Sequence, residues 1–154
     1  MKKVFLGGTC NESQWREKLI IPFLDIEYFN PVVKDWNDEA YQEELKQREE
    51  CDYVLYLLTP KMTGVYAIAE TIDDSIKRPE KTVFCFITED GEHYFDKGQI
   101  KSLQAVGKMV ETNDGTWAQK IEDVLNFLNK EEEPSEIKEE NIDIVEEDID
   151  EINK

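Results

Sequence analysis

The sequence predicts an α/β fold built on a five-stranded parallel sheet, and three observations support this prediction. Short apolar runs, typical of strands buried on both faces, alternate with amphipathic stretches of helical period. Gly, Pro or Asn residues separate many of these stretches. The length of 154 residues suits one domain with a single core. Together they predict a three-layer sandwich of the Rossmann-like or flavodoxin-like kind, with strand order 2-1-3-4-5.

The first half of the chain contains two predicted strands and two predicted helices. In order, these are a strand at residues 3–7, a helix from Asn11 to about Phe23, a strand at residues 26–30 and a helix from Asp38 to about Glu50. Asn11 and Gln14 have the spacing of a capping box, which favours a helix start at Asn11. Pro22 marks the last turn of this helix.

The second half continues the alternation with three predicted strands and two predicted helices. In order, these are a strand at residues 53–58, a helix at 63–78, a strand at 82–87, a polar loop at 88–101, a strand at 105–111 and a helix at 116–129. Pro79 stops the first of these helices, and the Asn113-Asp114-Gly115 turn precedes the second.

The acidic residues concentrate at the C-terminal end. Residues 131–154 hold twelve acidic and two basic side chains, which supply −10 of the net charge of −18. We therefore divide the chain into an α/β domain at residues 1–130 and an acidic tail at 131–154. Such a composition predicts a flexible tail, and the alternative is a segment that docks on this or another subunit.

Charge and cysteine content exclude several classes of function. A strongly acidic chain lacks the Lys and Arg needed to bind nucleic acid polymers. No apolar run is long enough to span a membrane, and no signal-peptide pattern follows the first Met. Three widely spaced cysteines and one His support neither a metal site nor a disulfide framework. We expect a cytoplasmic protein with reduced cysteines and without a cofactor.

One carboxylate is expected at the sheet edge where ligands bind in this fold class. Strands one and three would lie side by side, so that Gly7, Gly8 and Thr9 meet the loop at residues 59–64. Glu70, on the following helix, would point back toward this loop. A carboxylate there can act as a nucleophile toward a sugar anomeric carbon. The alternative is an ordinary solvated glutamate on a helix surface.

Several blocks of sequence resemble one known family. In order, they are VFLGGTC (residues 4–10), SQWR (13–16), YFNPVV (28–33), DW (35–36), CDYVLY (51–56), TPKMTGVYAIAE (59–70) and RPEKTVF (78–84). Together they resemble the nucleoside 2-deoxyribosyltransferase-like proteins over residues 3–112. The resemblance implies a Rossmann-like domain that cleaves the N-glycosidic bond of 2′-deoxynucleosides. It also implies that Glu70 forms a deoxyribosyl ester, which an incoming nucleobase attacks, and that Gly7 and Gly8 lie beneath the sugar.

The sequence departs from this family at positions that matter for transfer. Phe5 replaces a first-strand Tyr that orients the nucleophile, and Gly64 replaces an Asp that contacts the sugar. Glu44 matches an Asp near the base only after a shift of one residue. Some relatives borrow the C-terminal carboxylate of a neighbouring subunit, where this chain has an acidic extension, so a homo-oligomer is a further expectation.

Other residues can complete a binding site for a nucleoside or nucleotide and a nucleobase. The candidate substrate contacts are Gly7, Gly8, Thr9, Asn30, Asp35, Trp36, Gly64 and Tyr66. Trp36 can stack on a base, or it can pack over the core edge. Tyr66 can hydrogen-bond Glu70, one helical turn away. Arg16 and Arg48 can meet a 5′-phosphate, or form surface pairs with nearby Glu residues.

Three hypotheses follow from these residues. The first is a deoxyribosyltransferase or N-glycoside hydrolase that acts through Glu70. The second is a module of the same fold that binds nucleosides without turnover. The third, a flavodoxin-like electron-transfer or signalling domain, is disfavoured because residues 7–13 lack a Thr/Ser-rich flavin phosphate loop. Thr59 also stands where a response regulator needs an Asp.

Overall fold

In the computed structural model, which describes residues 1–10 and 12–130, five parallel strands form one central sheet. Within those residues the strands are β1 (Lys3–Gly8), β2 (Glu27–Phe29), β3 (Tyr53–Leu58), β4 (Thr82–Phe86), β5 (Glu89–Asp90), β6 (His93–Tyr94) and β7 (Thr116–Trp117). The central sheet has the order β2-β1-β3-β4-β7, and every neighbouring pair is parallel. Since β7 is the fifth strand of this sheet along the chain, the predicted order 2-1-3-4-5 is confirmed.

Helices cover both faces of the sheet. In the described part of the chain they are a π-helix at Arg16–Ile20, 3-10 helices at Ile21–Phe23 and Pro79–Lys81, and α1 (Asp38–Glu50), α2 (Tyr66–Lys77), α3 (Lys97–Thr112) and α4 (Ile121–Leu128). Leu55 and Leu57 of β3 pack toward α4 and the π-helix. Tyr56 and Leu58 pack toward α2 and α3, because successive strand side chains point to opposite faces. None of these described helices is both long and apolar enough to cross a bilayer.

The ends of β1 and β3 are joined by hydrogen bonds that fix the loops above them. The Thr9 amide donates to the Leu57 carbonyl at 3.0 Å. The Thr59 amide donates to the Thr9 hydroxyl oxygen at 2.9 Å. These contacts hold the two loops at the carboxyl edge of the sheet in register, at the place where α/β folds bind ligands.

The strand predicted at residues 105–111 is wrong, because this stretch belongs to α3. Leu103, Gly107 and Val110 are its buried residues, and their spacing has the helical period of 3.6. Gly107 lets the helix approach the sheet closely, since a Cβ atom there would lie 2.2 Å from the Trp117 ring. The fifth strand is instead β7, which occupies the predicted start of the last helix. That helix, α4, begins only at Ile121.

Two further predicted elements differ from the structure. The helix predicted from Asn11 becomes the short π-helix and 3-10 helix at Arg16–Ile20 and Ile21–Phe23, and Asn11 itself lies outside the described residues. Glu12 has a φ of 52°, which a right-handed helix does not contain. The loop predicted at 88–101 contains the β5–β6 hairpin and the first turn of α3. Residues 131–154, which include the predicted acidic tail, also lie outside the described part.

Candidate active site

A pocket of about 190 Å³ opens at the carboxyl ends of β1 and β2, with α1 and α2 forming one wall. Its lining residues are Gly7, Gly8, Cys10, Arg16, Pro31, Val32, Val33, Trp36, Glu44 and Glu70. Four of the predicted site residues, Gly7, Gly8, Trp36 and Glu70, therefore surround the same pocket. Their roles toward a ligand remain predictions.

The floor of the pocket requires glycine at two positions. Gly8 has a φ of 116°, and a Cβ atom there would lie 2.0 Å from the Leu57 carbonyl oxygen. A Cβ atom at Gly7 would lie 2.7 Å from the Tyr56 ring and 2.9 Å from the Phe5 ring. Packing against β3 and Phe5 therefore requires both glycines, and both line the pocket.

Glu70 lies in the second turn of α2, close to the carboxyl end of β3. Its side chain lines the pocket, yet the residue is only 8% exposed. The Oε2 atom is buried and accepts no hydrogen bond from the described residues. Its nearest charged partner is Arg48, whose Nη1 atom lies 3.4 Å away. A buried carboxylate oxygen without a hydrogen-bond donor is rare in native structures and marks a candidate reactive group.

Glu44 of α1 brings a second carboxyl group to Glu70. Both carboxyl groups line the same pocket, so the negative charge of Glu44 disfavours ionisation of Glu70. Burial and this neighbour raise the pKa of Glu70 from 4.5 to about 8, although the charge of Arg48 acts in the opposite direction. Near neutral pH the raised pKa therefore favours the protonated form of Glu70 in the ligand-free site. Such a pair can supply both a nucleophile and an acid.

A buried polar cluster around Asp74 holds the Arg48 side chain in place. The Arg48 Nε and Nη2 atoms bind the two oxygens of Asp74 at 3.0 and 3.1 Å. Asp74 is fully buried and also accepts hydrogen bonds from the Tyr56 hydroxyl and from Arg78 Nη1. Burial and the Asp74 carboxylate raise the pKa of Tyr56 well above its usual value, so its hydroxyl stays protonated and keeps donating.

Aromatic side chains form the outer rim of the pocket. Trp36 is 59% exposed, and its ring meets the Tyr41 ring edge-on with centroids 6.0 Å apart. Tyr66 is 60% exposed and does not line the pocket, and its predicted hydrogen bond to Glu70 is not formed among the described residues. Because the Trp36 ring is largely exposed and lines the pocket, it is available for stacking on a planar ligand.

The remaining predicted contacts do not line this pocket. Thr9 is buried and joins the β1 and β3 loops through its hydroxyl group. The Asn30 side chain accepts a hydrogen bond from the Val32 amide at 3.1 Å. Asp35 and Gly64 are exposed, and no other atom lies within 4 Å of the Cβ position at Gly64.

The surface pairs expected for the two arginines are wrong, because neither Arg16 nor Arg48 is on the surface, and the contact with a 5′-phosphate stays a prediction. Arg16 is 1% exposed and donates to the carbonyl oxygens of Leu6 and Thr9 at 2.9 and 2.8 Å. Its guanidinium also lies 4.3 Å from the Trp15 ring centroid. Arg48 is 5% exposed and engaged by acidic residues of α2. These bonds use both side chains to hold the protein together.

The contacts that Glu44 and Arg48 make around Glu70 are not evident from the sequence alone. Both lie on one face of α1, four residues apart, opposite Glu70 and Asp74, which are four residues apart on α2. This matching spacing was the available signal, since residues at i and i+4 share a helix face. Within the described residues, no group of three or more His, Cys, Asp or Glu side chains could hold a metal ion.

The sheet order and the pocket define an α/β protein with a pocket at the carboxyl edge of its sheet, where this fold class binds small molecules. A family model described as nucleoside 2-deoxyribosyltransferase like matches residues 1–89, which is more than half of the chain. The chain belongs to this family. No curated protein matches the chain. The matched range includes the glycine floor, both pocket carboxyl groups and Arg48, and membership suggests a role in nucleoside glycosyl transfer.

Proposed function

We propose that this protein cleaves the N-glycosidic bond of a 2′-deoxynucleoside with Glu70 as the nucleophile, and passes the sugar to a second nucleobase or to water. The observation that carries the proposal is the Glu70 carboxyl group, which is buried, faces a pocket and has one oxygen without a hydrogen-bond donor. Family membership supports the same class of reaction.

The two carboxyl groups can divide the roles that this reaction needs. Once Glu70 passes its proton to Glu44, Glu70 is the nucleophile and Glu44 is the acid. A Glu70 oxygen then bonds to the anomeric carbon as the N-glycosidic bond breaks, and the electron pair of that bond goes to the base nitrogen. Glu44 gives its proton to the departing base. A second base or water then gives a proton to Glu44 as it attacks the same carbon, and the bond to Glu70 breaks to release the carboxylate.

The lining of the pocket suits the two halves of a nucleoside. Gly7 and Gly8 line the pocket together with Glu70 and carry no side chain that would occupy the space for the sugar. Val32, Val33 and the exposed ring of Trp36 offer an apolar surface for the base. Base stacking on aromatic side chains contributes about 1–3 kcal/mol per base.

The charges of the pocket favour an unphosphorylated nucleoside over a nucleotide. Arg16 is the basic residue in the lining, and its Nε and Nη1 atoms already bind backbone carbonyl groups, while Nη2 lies 3.9 Å from Cys10 Sγ. Glu44 would repel a phosphate placed beside it. A 5′-phosphate would therefore meet one nitrogen of Arg16 and an opposing carboxylate, which favours the unphosphorylated nucleoside.

Base exchange is the direct test. The protein is incubated with a deoxynucleoside and a different free base, and chromatography follows both nucleosides. We expect exchange or release of the base, and loss of both in Glu70→Ala and Glu70→Gln. Glu49→Gln changes an exposed glutamate of α1 and serves as the matched control, with activity retained. Turnover that survives in both Glu70 variants would contradict the proposal.

A binding module without turnover is the second candidate function. It is favoured by Gly64, which leaves open space where relatives carry an Asp, and by Phe5, which has no hydroxyl for Glu70. This function predicts that deoxynucleosides raise the melting temperature while remaining unconsumed. A melting temperature unchanged across a panel of nucleosides would count against it.

A further inference from the structure

Arg48 connects the pocket to a buried cluster through the orientation of its guanidinium group. The residue lies in the last turn of α1 and is 5% exposed. Two of its nitrogens, Nε and Nη2, bind the two oxygens of Asp74 at 3.0 and 3.1 Å. The third nitrogen, Nη1, is turned toward Glu70 and lies 3.4 Å from Oε2. Since a guanidinium is planar, the two bonds to Asp74 fix the direction of the third nitrogen.

Asp74 is itself held in place by groups other than Arg48. It is fully buried, and it accepts hydrogen bonds from Tyr56 on β3 and from Arg78 at the end of α2. Tyr56 is fully buried in the centre of the sheet. The orientation of the Arg48 guanidinium is therefore tied to the rigid core and not to a mobile surface side chain.

We propose that Arg48 is a positioning residue for Glu70: clamped by Asp74, its guanidinium holds the Glu70 carboxylate toward the pocket and stabilises its ionised form. The inference rests on the proposed function for its catalytic consequence. Its electrostatic part concerns the resting protein and can be tested without substrate. Phe5 has no hydroxyl group with which to hold Glu70 in place. Its ring packs against the Tyr56 ring with centroids 6.2 Å apart.

Burial and two acidic groups oppose the ionisation of Glu70. Glu44 approaches it from α1, and Asp74 lies one turn further along α2. Tyr56 of β3 and Tyr66 of α2 also interact with Glu70, but their own raised pKa values keep both hydroxyl groups neutral. Burial, Glu44 and Asp74 raise the pKa of Glu70 to about 8. Arg48 is the cation that acts against them, which explains why one buried arginine contacts acidic residues at three positions of α2.

The test is a carboxyl titration of Glu70 in the full-length protein labelled with ¹³C at glutamate Cδ. The Glu70 signal is assigned by its loss in Glu70→Gln and followed by NMR between pH 5 and about 10. We expect a midpoint near the raised pKa of about 8 in the wild type. Arg48→Gln should move it up by about one unit or more, because the favourable charge is lost. Arg48→Lys should give an intermediate midpoint. It keeps the positive charge, but an ammonium group cannot bind Asp74 and face Glu70 at the same time as the planar guanidinium does.

Lys77→Gln provides a matched control, because it removes one positive charge from the exposed side of α2. Lys77 pairs with Asp73 on the exposed side of α2 and does not contact Glu70. Its removal should leave the Glu70 midpoint within about 0.3 units of the wild type, as expected for a distant and solvent-screened charge. If Arg48→Gln does not fold, the Arg48→Lys midpoint decides the question. A Glu70 midpoint that is the same in folded Arg48→Lys, Lys77→Gln and wild type would overturn the inference.

Kinetics then separate this inference from the proposed function. In an active protein, Arg48→Lys should lower kcat about tenfold with KM changed less than about twofold, and should move the rising limb of the pH profile upward. If the wild type consumes no nucleoside while the Glu70 midpoint still responds to Arg48, the proposed function has failed and the electrostatic role stands. If the wild type is active but Arg48→Lys changes KM alone, the positioning role has failed and the function stands.

Discussion

Glu70 and Asp74 are two acidic residues one turn apart on the same helix, and both are buried, yet their surroundings are opposite. Asp74 is fully buried and binds Arg48, Arg78 and the Tyr56 hydroxyl, so both of its oxygens have donors. Glu70 is 8% exposed, and its Oε2 atom has no hydrogen-bond donor in the described part of the chain. Its neighbour across the helix interface is another carboxyl group, Glu44.

One helix can therefore stabilise the fold at one position and carry a reactive group at another. A buried carboxylate with a complete set of donors is strongly held in place, because removing any partner leaves a charge uncompensated. A buried carboxyl group without donors costs stability, and proteins retain such groups mainly at functional sites. The Asp74 end of α2 therefore belongs to the core, and the Glu70 end belongs to the pocket.

The largest effect is expected for Asp74→Ala. The substitution leaves Arg48 buried without its bidentate partner and removes the acceptor of the Tyr56 hydroxyl. Removing one partner of a buried ion pair typically costs about 3–5 kcal/mol. We expect about 5 kcal/mol here, because Arg48, Tyr56 and Arg78 all lose the same acceptor. Urea denaturation followed by circular dichroism measures the loss. A change under about 1 kcal/mol would show that the cluster is not part of the stabilising core.

Glu70→Gln should change stability in the opposite direction, and only at high pH. The folded protein raises the pKa of Glu70 from 4.5 to about 8, so between these values the folded state binds more protons than the unfolded state. Wild-type stability therefore falls as the pH rises through this window, and the Gln variant lacks this contribution. We expect the variant to be more stable by about 3 kcal/mol at pH 9, less than the full linkage value because its amide is still a buried polar group.

Denaturant titrations at pH 5 and pH 9 check this prediction. The stability difference between Glu70→Gln and wild type should be small at pH 5 and large at pH 9. Glu49→Gln, on the exposed face of α1, should show no such change between the two pH values. A Gln variant that is less stable than the wild type at pH 9 would place Glu70 with Asp74 among the stabilising residues.

Much of the fold could be predicted because strands that are buried on both faces are continuous apolar runs. Residues 3–7 and 53–58 are such runs, and both lie within strands of the sheet. The fifth strand was missed because β7 has only two residues, Thr116 and Trp117, too few to show a period. Residues 105–111 looked like a strand because Val106, Met109 and Val110 are apolar, although Gly107 and Val110 share a buried helix face.

The candidate site was only partly predictable from the sequence. Gly7, Gly8 and Glu70 could be placed at the carboxyl edge because strand order and helix direction determine that position. Glu44 could not be paired with Glu70, because their approach depends on how α1 packs against α2, and this packing follows from tertiary contacts rather than from local pattern. Arg48 was misinterpreted for the same reason: on α1, which carries many charged residues, a buried arginine looks like its exposed neighbours.

Glu44→Gln tests whether the second carboxyl group works with Glu70. The variant keeps the shape of the side chain but cannot give a proton to the leaving base, so kcat should fall about a hundredfold, equivalent to about 2.7 kcal/mol. It also removes a neighbouring negative charge, so the pKa of Glu70 should fall below its raised value of about 8. Steady-state kinetics with an ordinary deoxynucleoside and ¹³C NMR of Glu70 measure the two effects.

A substrate whose base is already cationic separates proton donation from other roles of Glu44. The base of 7-methyl-2′-deoxyguanosine leaves without needing a proton, so Glu44→Gln should cleave it at nearly the wild-type rate. Equal losses with both substrates would mean that Glu44 orients the substrate or Glu70 and is not the acid. Glu43→Gln, an exposed neighbour on α1 that is absent from the pocket lining, should leave both rates unchanged.

Trp36→Ala should have the smallest effect, because Trp36 lies at the rim, away from the carboxyl pair. Its ring is 59% exposed, so its removal should change the free energy of unfolding by less than about 0.5 kcal/mol. If the ring stacks on the base, KM should rise about tenfold while kcat stays within about twofold, since stacking is present before and during bond cleavage. Tyr94→Ala, an exposed aromatic residue on the β5–β6 hairpin, is the control. A fall in kcat at unchanged KM would instead show that Trp36 acts on bond cleavage itself. The rim would then belong to the reactive part of the site together with Glu70.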